Sequence, residues 1–254
     1  EDLGSDYKYE GWLIVDGSAK SAGIFSVDAD GNMSATSFEV DQDYIEGASA
    51  YVLTIEPSPD SDPAPSSTHI LAGDFSGSSA TLSVNHSSAL GSDFTSATGT
   101  YILATPTDGM MNNENSGLWF LDPAAGPGAG LDLPTLPSGW VYEGWAVING
   151  SPVSTGTFTD VAAADAGAPF SGTMAGPPFP GEDFLVNAPA GQTFPTDLAG
   201  GVAVISIEPY PDNSADPFVL KPLVGMIDAS ATDHTPYTMG NNAAATNPTG
   251  TVSK

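Results

Sequence analysis

The chain has 254 residues, 40% of them hydrophobic, which is enough to bury a core. Four Lys, no Arg and 31 acidic residues leave a formal charge of −27, which excludes nucleic acid as a partner because phosphate backbones need cationic contacts. No cysteine is present, so disulfides and thiolate metal sites are excluded, and no run of about 20 apolar residues suggests insertion into a membrane.

In chain order, the first predicted element is Tyr9-Glu10-Gly11-Trp12 running into Leu13-Ile14-Val15. It stops at Asp16-Gly17, a hairpin-turn signal. Ser21 to Phe25 reads as its return strand. Asp28-Ala29-Asp30-Gly31-Asn32 follows as a turn. The same residues also resemble the start of a calcium loop, since alternating Asp and Asn supply the oxygens a Ca2+ ion requires. Asp28, Asp30 and Asn32 are therefore the candidate cation ligands. Tyr51 to Ile55 is a strand ended by Glu56-Pro57, because proline cannot donate to a central ladder.

After the acidic loop Asp60-Ser61-Asp62, apolar strands are expected at 80–84, 100–105 and 117–121. Ala124 to Ser138 reads as a Gly/Pro-rich linker, and Trp119 and Trp140, on either side of it, are candidate interface residues. Tyr142-Glu143-Gly144-Trp145 then repeats the opening motif 133 positions on, with Asn149-Gly150 in place of Asp16-Gly17. Ile207-Glu208-Pro209 repeats Ile55-Glu56-Pro57 at an offset of 152. The changed offset places a net insertion of 19 residues in the Pro/Gly-rich run 166–195. Asp212-Asn213-Ser214-Ala215-Asp216 is the second copy's acidic loop, and residues 229–254 read as a polar tail, extended or disordered.

The prediction is an all-β chain of two tandem β-sandwich domains, Ig-like in architecture. The first copy takes residues 1–109, a connecting strand and linker 110–138, the second copy 139–228 and the tail 229–254. Glu10, Glu56, Glu143 and Glu208 recur in both copies, which favours a structural duty such as accepting backbone N–H groups at strand ends. His69, His86 and His234 do not recur and show no ligand spacing; with no nucleophile elbow, P-loop or dinucleotide motif, no enzyme is expected.

The pattern of an aromatic-acid-x-Trp strand, a Gly-x-Phe strand and a strand ending Glu-Pro resembles the extracytoplasmic C-terminal domain of anti-sigma-K factors. Tyr9 to Trp12, Gly23 to Phe25 and Ile55 to Pro65 carry it, as do Tyr142 to Trp145, Gly156 to Phe158 and Ile207 to Pro217. The resemblance implies a β-sandwich outside the cytoplasm of a prokaryote, here without the family's cytoplasmic part. The start at Glu1-Asp2-Leu3 reads as a processed or trimmed N-terminus. Scarce Lys and Arg and three glycosylation sequons, at Asn32, Asn85 and Asn149, fit export, and the acidic surface fits a saline habitat.

The copies have unequal flanks: the first has only residues 1–8 ahead of its motif, and the second has only the polar tail behind it. Open sheet edges are templates for pairing, so the leading expectation is a self-assembling surface or filament subunit joined through strand edges. The other classes are a monomeric extracellular module binding a glycan, cation or envelope protein, and a sensor domain related to anti-sigma factors.

Overall fold

The computed structural model describes residues 1–109, 112–211 and 214–254. The first copy forms β1 (Tyr7–Val15), β2 (Ser18–Phe25), a short helix α1 (Gln42–Gly47), β3 (Ala48–Pro57), β4 (His69–Asp74), β5 (Ser79–Ser83) and β6 (Thr98–Leu103). A 3-10 turn at Glu114–Ser116 leads to β7 (Gly117–Trp119), β8 (Leu121–Asp122), β9 (Gly128–Ala129) and β10 (Leu131–Asp132). The second copy forms β11 (Trp140–Ile148), β12 (Ser151–Phe158), β13 (Gly181–Asp183), β14 (Val202–Pro209) and β15 (Leu223–Met226). The chain ends in β16 (Tyr237–Asn241), α2 (Ala243–Thr246) and β17 (Thr249–Ser253). The fold is all-β, as expected, and built from large antiparallel sheets.

The two copies agree in backbone detail. Asp16 and Gly17 have φ of 49° and 76°, and Asn149 and Gly150 have 52° and 83°. Positive φ at both central residues is what a tight two-residue hairpin requires. In both hairpins the register slips at one place, between Gly11 and Trp12 and between Gly144 and Trp145. The extra residues are Ala22 and Thr155 on the return strands, and the glycine after each, Gly23 or Gly156, has φ of 129°, a conformation that favours glycine.

Alternation along the strands sorts the side chains into two layers. Tyr9, Leu13, Tyr51, Leu53 and Ile55 face the main core, while Trp12 and Val52 join Ala72 and Ala89 on the opposite face of the same sheet. The main core also takes Tyr142, Ile205, Ile207 and Leu223 of the second copy. Each fully buried large apolar side chain contributes roughly 1.5–3 kcal/mol.

The sheets do not follow the expected domain boundaries. One sheet runs β17-β5-β4-β3-β1-β2. A second runs β12-β11-β14-β15-β16-β6-β7-β13, with β10 also paired to β6, and β8 and β9 form a small third sheet. Thus β6, from the first copy, lies in the second copy's sheet beside β16, and β17, from the end of the chain, closes the first copy's sheet beside β5. The registers match: Thr81 faces Thr251 and Leu82 faces Gly250, while Thr238 faces Thr100 and Met239 faces Gly99. The structure thereby exposes a further repeat, Thr98-Gly99-Thr100 with Thr249-Gly250-Thr251. The two halves exchange their last strands, so the divisions at 109 and 228 cut through shared sheets, and the expected linker itself holds β9 and β10. Residues 229–254 are not a loose tail. They read as one because an edge strand with a wet face carries polar side chains at alternate positions, here Thr249, Thr251 and Ser253.

Candidate functional site

The four repeated carboxylates lie at equivalent places on the face opposite the main core. In the first copy the Trp12 indole N–H donates to Thr54 Oγ1 at 2.8 Å, and the Thr54 hydroxyl donates to Glu56. Glu56 also accepts the Ser66 backbone N–H at 2.9 and 3.1 Å. In the second copy the Trp145 N–H donates to Ser206 Oγ at 2.7 Å, and Glu208 accepts the Phe218 backbone N–H at 2.9 and 3.2 Å. Each of these two glutamates therefore ties down the loop ten residues beyond it. Glu10 accepts the Ser21 hydroxyl and Glu143 the Ser154 hydroxyl, which fastens each return strand to its neighbour. Burial pushes the Glu10 carboxyl upward, Ser21 opposes the shift and the charge of Glu56 adds to it. A cavity of about 360 Å³ opens beside this cluster, where Glu1 to Tyr7 meet Ile55, Glu208 and Phe218.

The second copy's insertion builds a further acidic cluster that the sequence did not signal. Asp183 accepts the Thr107 N–H at 2.8 Å, the Thr107 hydroxyl and the Trp119 indole N–H at 2.7 Å. Glu182 accepts the Ser171 hydroxyl and the Phe170 N–H at 3.2 Å. Asp165 accepts the Gly181 N–H at 2.9 Å. Burial, opposed by that N–H and aided by the charge of Glu182, pushes Asp165 up from 3.8 to about 7. The folded state then holds its proton more tightly than the unfolded chain, so stability falls as pH rises from about 4 to about 7. The slope is up to about 1.4 kcal/mol per pH unit. Thermal melts should show a higher Tm at pH 5 than at pH 8, and Asp165→Asn should flatten that dependence. An unchanged slope in the variant would refute the assignment.

Asp28, Asp30 and Asn32 do share one turn. Asp28 Oδ1 accepts the Asp30 N–H at 3.0 Å and the Asn32 N–H at 2.8 Å, and the Asn32 amide donates to the same carboxylate. These hydrogen bonds lower the exposed Asp28 carboxyl. Asp28 organises its own hairpin turn, and Asn32 offers it N–H groups rather than an oxygen. Among the described residues no group of three or more His, Asp or Glu is arranged to hold a metal ion. In the first acidic loop Asp60 and Asp62 likewise accept the N–H groups of Asp62 and Ala64. Asp212 and Asn213, of the second acidic loop, lie outside the described residues. His69 contacts the Ser88 carbonyl and His86 accepts the Ser88 N–H while lying 3.5 Å from Asp74, whereas His234 pairs with Asp233.

Trp119 and Trp140 require a correction. They are 4% and 3% exposed, so neither presents a surface to a partner. Trp119 is held by Asp183 from the insertion and packs with Ile102 and Phe179. Trp140 packs on Phe218, with ring centroids 6.0 Å apart, and its indole N–H has no hydrogen-bond partner among the described residues. The neighbouring Gly/Pro-rich run suggests a surface position, but it returns to the sheet and pairs with β6 through β10.

The unequal flanks are partly resolved by the strand exchange, which leaves β2, β17, β12 and β13 at the ends of the two large sheets among the described residues. Beside β2, the Phe38 ring packs over Gly23. β12 is bridged through Thr157 to Ala166. Next to β13, the segment around Phe170 bonds to Glu182 and Leu185. β17 alternates between exposed and half-buried residues along its full length and carries no charge from Thr249 to Ser253. No helix among the described residues is long and apolar enough to cross a membrane. No family model, curated protein or solved structure matches the chain.

Proposed function

We propose that this chain is a non-enzymatic, extracellular structural protein that assembles through an open strand edge into a surface layer or filament. The observation that carries the reading is β17, which among the described residues is the end strand of its sheet and is uncharged, on a molecule whose formal charge is −27. Backbone pairing at such an edge needs no charge complementarity, and self-repulsion elsewhere on the acidic surface directs contact toward it. The repeated carboxylates support a structural reading, because they bind hydroxyl and backbone groups of the chain's own loops. The resemblance to extracytoplasmic anti-sigma-K domains and the scarcity of Lys and Arg support a location outside a prokaryotic cell. Electron microscopy and sedimentation across a range of salt and protein concentrations test the proposal. Ordered polymers favoured by salt are expected; a strict monomer at high concentration, with salt and calcium present, would overturn it.

A further inference from the structure

The insertion seats a carboxyl where the first copy packs a ring. Over the first copy's bulge, a Cβ added to Gly23 would run into the Phe38 ring, whose centroid lies 6.2 Å from that of Phe25. Over the second copy's bulge, a Cβ added to Gly156 would lie 2.8 Å from Cγ of Asp165. A neutral carboxyl suits such a seat, whereas an ionised one is deprived of its water there.

Residues 159–167 form the strap that carries this carboxyl. The chain leaves β12 at Phe158 and turns where Asp160 accepts the Ala162 N–H at 2.9 Å. It returns so that the Ala166 N–H donates to the Thr157 carbonyl at 2.8 Å, on the side of β12 away from β11. Thr157 is half-buried, whereas its counterpart on β2, Ile24, is 55% exposed.

The strap also brings Asp165 to β13, whose two carboxylates are better served by donors. Glu182 accepts the Ser171 hydroxyl, the Phe170 N–H and the Asp183 N–H. Asp183 accepts both Thr107 groups and the Trp119 indole N–H. Asp165 accepts one N–H from another residue, that of Gly181 at 2.9 Å. Three donors favour the charged form of each β13 side chain, and Asp165 has the least to hold a negative charge. The charge acting on Asp165 is that of Glu182; Asp183 acts in turn on Glu182, and Asp108 on Asp183. β12 carries no ionisable side chain, and Glu143 of β11 is bonded to Ser154.

We propose that residues 159–167 are a pH-gated strap over the end of β12, held down while Asp165 carries a proton and loosened when that carboxyl ionises beside Glu182. Loosening uncovers β12 at Thr157. The strap belongs to the insertion, so the proposal stands or falls separately from assembly at β17.

Amide exchange of the full chain, measured by NMR between pH 4 and pH 8 and divided by the rate of an unstructured chain at each pH, reads the opening of the strap. The folded state holds the Asp165 proton up to about 7, against an ordinary value of 3.8. Protection of the Ala166 N–H should therefore fall by up to about tenfold per pH unit across that window and level off above it. Low concentrations of urea should leave this exchange unchanged while speeding that of the β11–β14 amides, because the strap opens without exposing the core. Asp165→Asn keeps an oxygen toward the Gly181 N–H without the charge and should hold protection level across the range. Glu182→Gln should retain the fall but end it at lower pH. The proposal is overturned by protection in the parent that does not vary with pH, or by an Ala166 N–H that exchanges only with the β11–β14 amides. A pH dependence that persists in Asp165→Asn, or an end point unmoved in Glu182→Gln, would also overturn it.

Discussion

Deleting residues 249–254 should destabilise the first copy's sheet by about 3–5 kcal/mol. β5 faces β17 at five positions, Ser79 to Ser83, but pairs with β4 only between Ser83 and Ala72. Without β17 it loses its principal ladder, and Ala80 and Leu82, now 1% and 3% exposed, are uncovered. Hydrogen exchange at residues 79–83 should approach the unprotected rate, while the β11–β14 pair stays protected. A peptide of residues 242–254 added to the truncated chain should restore protection. A truncated chain with the parent urea midpoint would show that β17 does not close the sheet.

Asp183→Ala should cost about 3–5 kcal/mol, the loss expected when buried donors are left without their acceptor. Three donors converge on this carboxylate: the Thr107 N–H, the Thr107 hydroxyl and the Trp119 indole N–H. Asp183 is fully buried, so these donors lose an acceptor in the interior of the protein. The insertion should detach from β7, and the fluorescence of Trp119 should shift to the red. Asp183→Asn retains one acceptor oxygen and should lose less. Equal urea midpoints for the parent and Asp183→Ala would show that these contacts contribute nothing to stability.

The two copies and their central strands were legible in the sequence because the signals are local. Asp16-Gly17 and Asn149-Gly150 set hairpins of two residues, and Glu56-Pro57 and Glu208-Pro209 end the strands before them. The strand exchange was not legible. Thr81 would face a Thr-Gly-Thr strand whether that strand were Thr98–Thr100 or Thr249–Thr251, so neither periodicity nor composition separates the two pairings. β16 and β17 carry no clear strand signal in the sequence because much of each is wet and polar. The burial of Trp119 is not legible for another reason: its partner Asp183 lies 64 residues away in the insertion, and no spacing rule connects them. The duty of Glu56 and Glu208 could be anticipated because duplication of a carboxylate at two strand ends is itself a structural signal.

The exchange of β6 and β17 is most directly tested by cysteine pairs, since the chain contains no cysteine of its own. Facing residues of neighbouring antiparallel strands come within disulfide reach, closest where they are not hydrogen-bonded to each other. Thr81→Cys with Thr251→Cys, and Thr100→Cys with Thr238→Cys, should each oxidise fully within the monomer without lowering its Tm. If each half kept its own last strand, Thr81→Cys would instead link to Thr100→Cys and Thr238→Cys to Thr251→Cys, and that result would contradict the exchange.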